Sequence, residues 1–165
     1  MKTLLVLRHA KAKRNGWADY DRPLTRRGKR DAPHIGEWVA QMGLTPDLIV
    51  ASGAKRAAQT ARLAAEAAGY AGEVMLSEAL YDSDPERHLE VLRGLPDNAD
   101  VVMLVGHNPA FEELVEILTG ETVTLATAAL AQIELDLRSW AEVAARTGRL
   151  KGVYTPPVEG RGKAG

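Results

Sequence analysis

Four short runs of apolar residues punctuate this chain: LLVL in the opening segment, DLIVA from Asp47, EVML from Glu73 and VVMLV from Val101. Each reads as a strand apolar enough to be buried on both faces. Between them the apolar positions change to helical spacing. Ile35, Trp38, Val39 and Met42 recur that way in the segment Thr25–Met42, which stops at Gly43 and holds Pro33, so a kink or a split is expected there. An Ala-rich helix is expected over Ala54–Ala68, closing on Gly69, and another over Asp84–Arg93 with Pro85 in its first turn. A further helix is expected to be capped by Asn108 and Pro109 and to end at Gly120. Later, AQIELDL (131–137) alternates like a half-exposed strand, Ser139–Glu142 forms a capping box, and RLKGVY (149–154) reads as a last short strand. Strands alternating with helices predict an α/β domain over residues 1–154, built on a mostly parallel sheet with helices on its faces. From Thr155 the chain turns to TPPVEGRGKAG, a Pro, Gly and charge-rich stretch expected to be a flexible tail over 155–165.

Composition narrows the function classes. The 165 residues suit one domain, and 45% hydrophobic with 26% charged residues describes an ordinary globular chain. With 21 Lys and Arg against 22 Asp and Glu, no global field draws the chain to nucleic acid or to an anionic membrane, so anion recognition has to be local. The absence of cysteine excludes disulfides, thiolate metal sites and a thiol nucleophile. TLLVL is too short for a signal or membrane segment, and a cytoplasmic location is the expectation.

Candidate chemistry follows from where the strands end. In a parallel sheet the segments after the four runs, LRHAK, ASGAKR, SEALYD and GHNP, leave at one edge, where open α/β folds place their ligands. His9, His107, Arg8 and Arg56 thereby converge on one crevice. Two guanidiniums suit an anion with several oxygens, and a phosphoryl group is the natural candidate. Their charge disfavours protonation of His9 and leaves it able to attack phosphorus, while Arg8, Arg56 and a protonated His107 stabilise the transition state. Ser52 and the start of the second helix are expected to add donors.

Plainer readings compete. GHNP also suits a simple strand-to-helix turn; His34 and His88 read as surface or core-edge residues; Arg26, Arg27, Lys29 and Arg30 read as a solvated helix face. Two histidines with Asp21 or Asp82 would be a metal site, but HxH, HExxH and DxD spacings are absent and the arginines repel a cation. No metal and no cofactor are expected.

Five segments together, LRHAK, DRPLTRRG (21–28), SGAKRAAQTA (52–61), EALY (78–81) and VGHNP (105–109), resemble in order and spacing the histidine phosphatase superfamily, and within it the small SixA-like, phosphohistidine phosphatase branch. The resemblance implies the phosphoglycerate mutase-like fold, a single-domain three-layer sandwich with a mixed, mostly parallel sheet. It also implies that His9 is the phosphorylated nucleophile, that Arg8 and Arg56 hold the phosphate, that His107 completes the pocket and that Arg22 is a further substrate contact. The chain departs from the family in LYDSDPE, which lacks a clear proton donor; Asp82 is the leading candidate, ahead of Glu78 and Glu86. Gly53 and Ala58 stand where relatives often carry Pro and Arg or Glu. The expectation is a metal-independent phosphatase acting on phosphohistidine or phosphoprotein substrates, with a small-molecule phosphomonoesterase, a phosphate-binding module without turnover and, more remotely, a phosphomutase as the alternatives. The expected partner is a phosphorylated substrate, neither nucleic acid nor membrane.

Overall fold

The computed structural model describes residues 1–158. Of the expected tail, Thr155–Val158 form an irregular stretch beside the first helix, and 159–165 lie outside the described residues. The elements are β1 (Lys2–Arg8), α1 (Arg26–Gln41), β2 (Leu48–Ala51), α2 (Lys55–Ala68), β3 (Met75–Leu76), α3 (Pro85–Arg93), β4 (Val101–Gly106), α4 (Ala110–Thr119), β5 (Leu130–Leu135) and β6 (Gly148–Tyr154). They build one six-stranded sheet in the order β3-β2-β4-β1-β5-β6. The first four strands run parallel; β5 is antiparallel to β1, and β6 to β5. The mixed sheet between two helical layers is the three-layer architecture the sequence predicts.

Alternation along the central strands sends each residue to one of two cores. Leu4, Val6, Val102 and Leu104 face α3, α4 and the buried Trp140, whereas Leu5, Leu7, Met103 and Val105 face α1 and α2. That second layer is thin because α2 presents Ala57, Ala61, Ala64 and Ala68. Gly36 of α1 lies against them so closely that a Cβ there would overlap the carbonyl oxygen of Ala64.

Three expectations are corrected. β3 is neither buried nor four residues long: Met75 and Leu76 form a two-residue edge strand, 54% and 49% exposed, because only β2 flanks it. Pro33 does not divide α1, which runs as one 16-residue helix; the buried stripe of Ala32, Ile35 and Val39 holds it through the missing hydrogen bond. Asn108 does not cap α4 with its side chain, which instead donates to the carbonyl of Leu125 at 2.8 Å. No described helix is long and apolar enough to cross a membrane.

Gly36→Ala is expected to destabilise the fold by about 1–3 kcal/mol through overpacking. The gain in helix propensity, about 1 kcal/mol, is outweighed because a packed backbone carbonyl cannot move aside as a side chain does. Urea unfolding with an unchanged m-value checks this.

Candidate active site

β1 and β4 pair in register, Arg8 against Gly106, so the residues that follow each strand emerge side by side. The backbone N–H of His9 bonds the carbonyl of Gly106 at 2.9 Å, and the rings of His9 and His107 lie 5.2 Å apart. Arg56 enters from the first turn of α2, just beyond β2. The pocket between them, about 280 Å³, is lined by Arg8, His9, Lys11, Arg14, Arg22, Arg56, His107 and Asn108, among others. Four sequence-predicted positions, His9, His107, Arg8 and Arg56, thus meet at one site with Arg22.

The hydrogen bonding of His9 fixes its tautomer. Its Nδ1 lies 2.8 Å from the carbonyl of Ala10, which can only accept, so Nδ1 carries the proton and Nε2 the lone pair. Burial is the main reason its pKa is held at about 4, with Arg56, Arg8 and Arg22 pushing the same way. Desolvation therefore outweighs the arginine charge from which a neutral His9 is expected.

His107 differs from the expectation. Burial, then the neighbouring His9 and Arg56, hold its pKa at about 3, so in the free protein it is neutral rather than protonated. Its Nε2 lies 2.9 Å from Oγ of Ser52, which accepts from the N–H of Ala54. Ser52 is fully buried and does not line the pocket; it orients His107 instead of donating to a ligand.

Five buried side-chain N or O atoms among the described residues have no hydrogen-bond partner, and four belong to pocket residues: Nε of Arg8, Nε of Arg56, Nδ1 of His107 and Oδ1 of Asn108. Asn108 Oδ1 is an acceptor, but the two guanidinium Nε–H groups are buried donors left unpaired, which suits a site for an acceptor-rich group. Arg8 is braced by donating to the carbonyl of Leu125 at 2.9 Å. Arg56 is braced by donating to the carbonyl of Asp19 at 2.7 Å and to its carboxylate at 3.2 Å.

Asp19 is the site residue that sequence reasoning missed. Its carboxylate also takes a hydrogen bond from Tyr81 at 2.6 Å and pairs with Arg22 at 3.1 Å. Tyr81, then Arg56 and Arg22, hold its pKa at about 2, so it is ionised at neutral pH. The DYDRP context gives only a weak signal for this role, an acid three residues before Arg22. Asp82, the leading candidate acid, is not brought to the pocket: one oxygen accepts from the N–H of Asp84 and the other faces Arg87 at 3.5 Å, so it stabilises the entry to α3. Glu78 accepts from the hydroxyl of Tyr20, and Glu86 lies in the first turn of α3. His88 is wholly buried rather than at a core edge, with its ring edge-on to Phe111 and Nδ1 donating to Asp84. Neither Asp21 nor Asp82 joins the histidines; among the described residues no group of three or more His, Asp or Glu could hold a metal ion.

Comparison with known proteins bears on the family and the fold. The family model of the histidine phosphatase superfamily (branch 1) matches residues 4–98. A protein of Mycobacterium tuberculosis (strain H37Rv) is 34% identical over 74% of this chain and 76% of its own length. A solved SixA structure from Nakamurella multipartitia superposes with a TM-score of 0.82 at 27% identity, covering 94% of this chain and 96% of that one. The histidine phosphatase SixA complexed with tungstate gives a TM-score of 0.83 at 22% identity, covering 93% and 97%, and shares the fold.

Between about pH 6.5 and 4 the unfolded chain binds protons that buried His9 and His107 refuse, so stability falls as the pH falls through that window. Both ring signals are expected to stay at neutral-imidazole positions in NMR titrations from about pH 8 to 5, while the unfolding free energy declines below about pH 6.5. A His9 midpoint near 6.5 would contradict the burial argument.

Proposed function

The chain belongs to the histidine phosphatase superfamily, in its SixA-like branch, and is a phosphatase; from that premise we propose that it works without a metal, through a phosphoryl group carried on His9, and that its substrate is phosphohistidine or another protein-borne phosphoryl group. The observation that carries the reading is the state of His9: neutral, with Nδ1 tied to the carbonyl of Ala10 and Nε2 left with a lone pair in a pocket shared with buried Arg56 and half-buried Arg8.

In this mechanism Nε2 of His9 attacks phosphorus in line, and the bond to the leaving group breaks as the new P–N bond forms. The positive charge that develops on the ring is met through Nδ1–H by the Ala10 carbonyl. Arg8 and Arg56 take the equatorial oxygens with their unpaired Nε–H groups. When the hydroxyl of Ser52 donates to Nε2 of His107, the proton of that neutral ring sits on Nδ1, a further donor into the pocket. Water then attacks phosphorus, the P–N bond returns its electron pair to Nε2, and orthophosphate leaves.

The substrate class follows from the leaving group. Asp19, the carboxylate that pairs with both Arg56 and Arg22, is ionised and held by Tyr81 as well, so it is a poor acid for an alkoxide. Proton donation of that kind typically supplies about 100-fold to 10,000-fold. An imidazole leaving group titrates near neutral pH and takes its proton from water, so it departs without such help. These features favour phosphohistidine and aryl phosphates over alkyl phosphates.

Rapid quenching in alkali after brief incubation with labelled substrate is expected to leave label on His9 and none on His9→Ala. Arg56→Ala is expected to lower turnover by about 100-fold or more, as loss of one strong transition-state donor does. Label at Ser52 instead would overturn the nucleophile.

Turnover per active site on a phosphohistidine protein, an aryl phosphate and a sugar phosphate tests the substrate class. The first two are expected to exceed the third by at least about 100-fold. A sugar phosphate turned over fastest would make this a small-metabolite phosphatase.

A further inference from the structure

We propose that the phosphorylated partner presents an acidic protein surface, and that a basic face running from the pocket mouth onto the first turns of α1 receives it; this deepens the substrate reading above and rests on it. The charge of the chain is unevenly spread. Nine of the 21 basic residues but only two of the 22 acidic ones fall between Arg8 and Arg30, so that stretch carries a formal +7 and the remaining 142 residues −8.

The basic groups exceed what one phosphoryl group uses. Arg8 and Arg56 are braced for the transferred group, and Arg22 is paired with Asp19. Lys11 and Arg14 also line the pocket, yet among the described residues their side chains have no hydrogen bond or ion pair. The same holds for Lys13, Arg26 and Lys29, all exposed. A second groove, containing Arg27 and Arg30, shares Thr127 with the pocket, so the basic surface continues out of the mouth.

The start of α1 is built against local preference. A helix N-terminus favours acidic side chains, but the first turn of α1 contains none and opens Arg26, Arg27, then Lys29 and Arg30. Of these, Arg27 pairs with Asp31 at 3.3 Å, whereas among the described residues Arg26 and Lys29 have no ion pair. The backbone holds this end at the mouth: Thr25 donates from N–H and hydroxyl to the carbonyl of Lys11, and a Cβ at Gly28 would overlap that same oxygen. Such a conflict of local rules beside a site indicates an external anion that offsets it.

The occupant suits a protein better than a nucleic acid. The basic stretch is short and the rest of the chain is acidic, which repels an extended polyanion. Trp17, 47% exposed on the same loop, already has the ammonium of Lys55 over its ring at 5.9 Å rather than an open face for a base.

Polyglutamate, added to the enzyme turning over an aryl phosphate, tests the surface without reference to the natural substrate. It is expected to raise KM without lowering kcat, to lose potency as salt is added, and to inhibit the double variant Arg26→Glu/Lys29→Glu at least about tenfold more weakly. Both changes place acids at a helix N-terminus, so the variant should melt no lower than the wild type, which thermal unfolding checks. On a phosphohistidine protein with acidic flanks the same variant is expected to lose at least about tenfold in kcat/KM, against less than threefold on the aryl phosphate. Absence of polyglutamate inhibition, equal inhibition of the variant, or stronger inhibition by an oligonucleotide of equal charge would overturn the proposal. Salt-sensitive inhibition that the variant loses, together with no turnover of any phosphohistidine protein, would uphold the basic face and overturn the phosphohistidine reading alone.

Discussion

The parallel ladder between β1 and β4 is the constraint on which the site depends. Its register, Leu5 against Met103 through Arg8 against Gly106, sorts the strand side chains between two cores and also delivers His9 beside His107. The two tasks cannot be separated. A slip of one residue would turn Leu5 and Leu7 away from α1 and α2 and displace the two imidazoles, so the hydrophobic pattern that stabilises the sheet also guards the catalytic geometry.

Delivering so many cationic groups to one pocket creates a problem that the fold meets in two ways. It keeps the histidines uncharged: both are buried, and each suffers the arginine charge as well. It also supplies a carboxylate, Asp19, which binds Arg56 and Arg22 together and is itself fixed by Tyr81. The consequence is chemical. A carboxylate that orients guanidiniums is a poor proton donor, which supports the proposed preference for leaving groups that need little help.

The loop that follows β1 brings Lys11, Arg14 and Arg22 to the pocket and also bears Asp19 and Trp17. In the proposed reading, binding of the phosphoryl group and reception of what surrounds it are neighbouring tasks of one segment, with α1 anchored against Lys11 by Thr25.

Much of the architecture was legible in the sequence because it rests on periodicity. The two-faced apolar strands, the alanine stripe of α2 and the capping box at Ser139 are local patterns whose physical requirement is also local. The meeting of His9, His107, Arg8 and Arg56 followed from one topological rule about where parallel strands end. What the sequence alone could not decide was pairing between distant polar groups. Asp19 lies 37 residues from Arg56 and 62 from Tyr81 in a loop without periodicity, whereas Asp82, better placed in the sequence, turns to Arg87. The neutral state of His107 was likewise beyond reach, since desolvation depends on what covers a group; only the packed structure showed that ring uncharged with Ser52 behind it. Pattern and strand topology determined the fold and brought the candidate residues together, while the tertiary structure decided their partners and the charge state of His107, because burial and electrostatic neighbours come from contacts across the chain rather than along it.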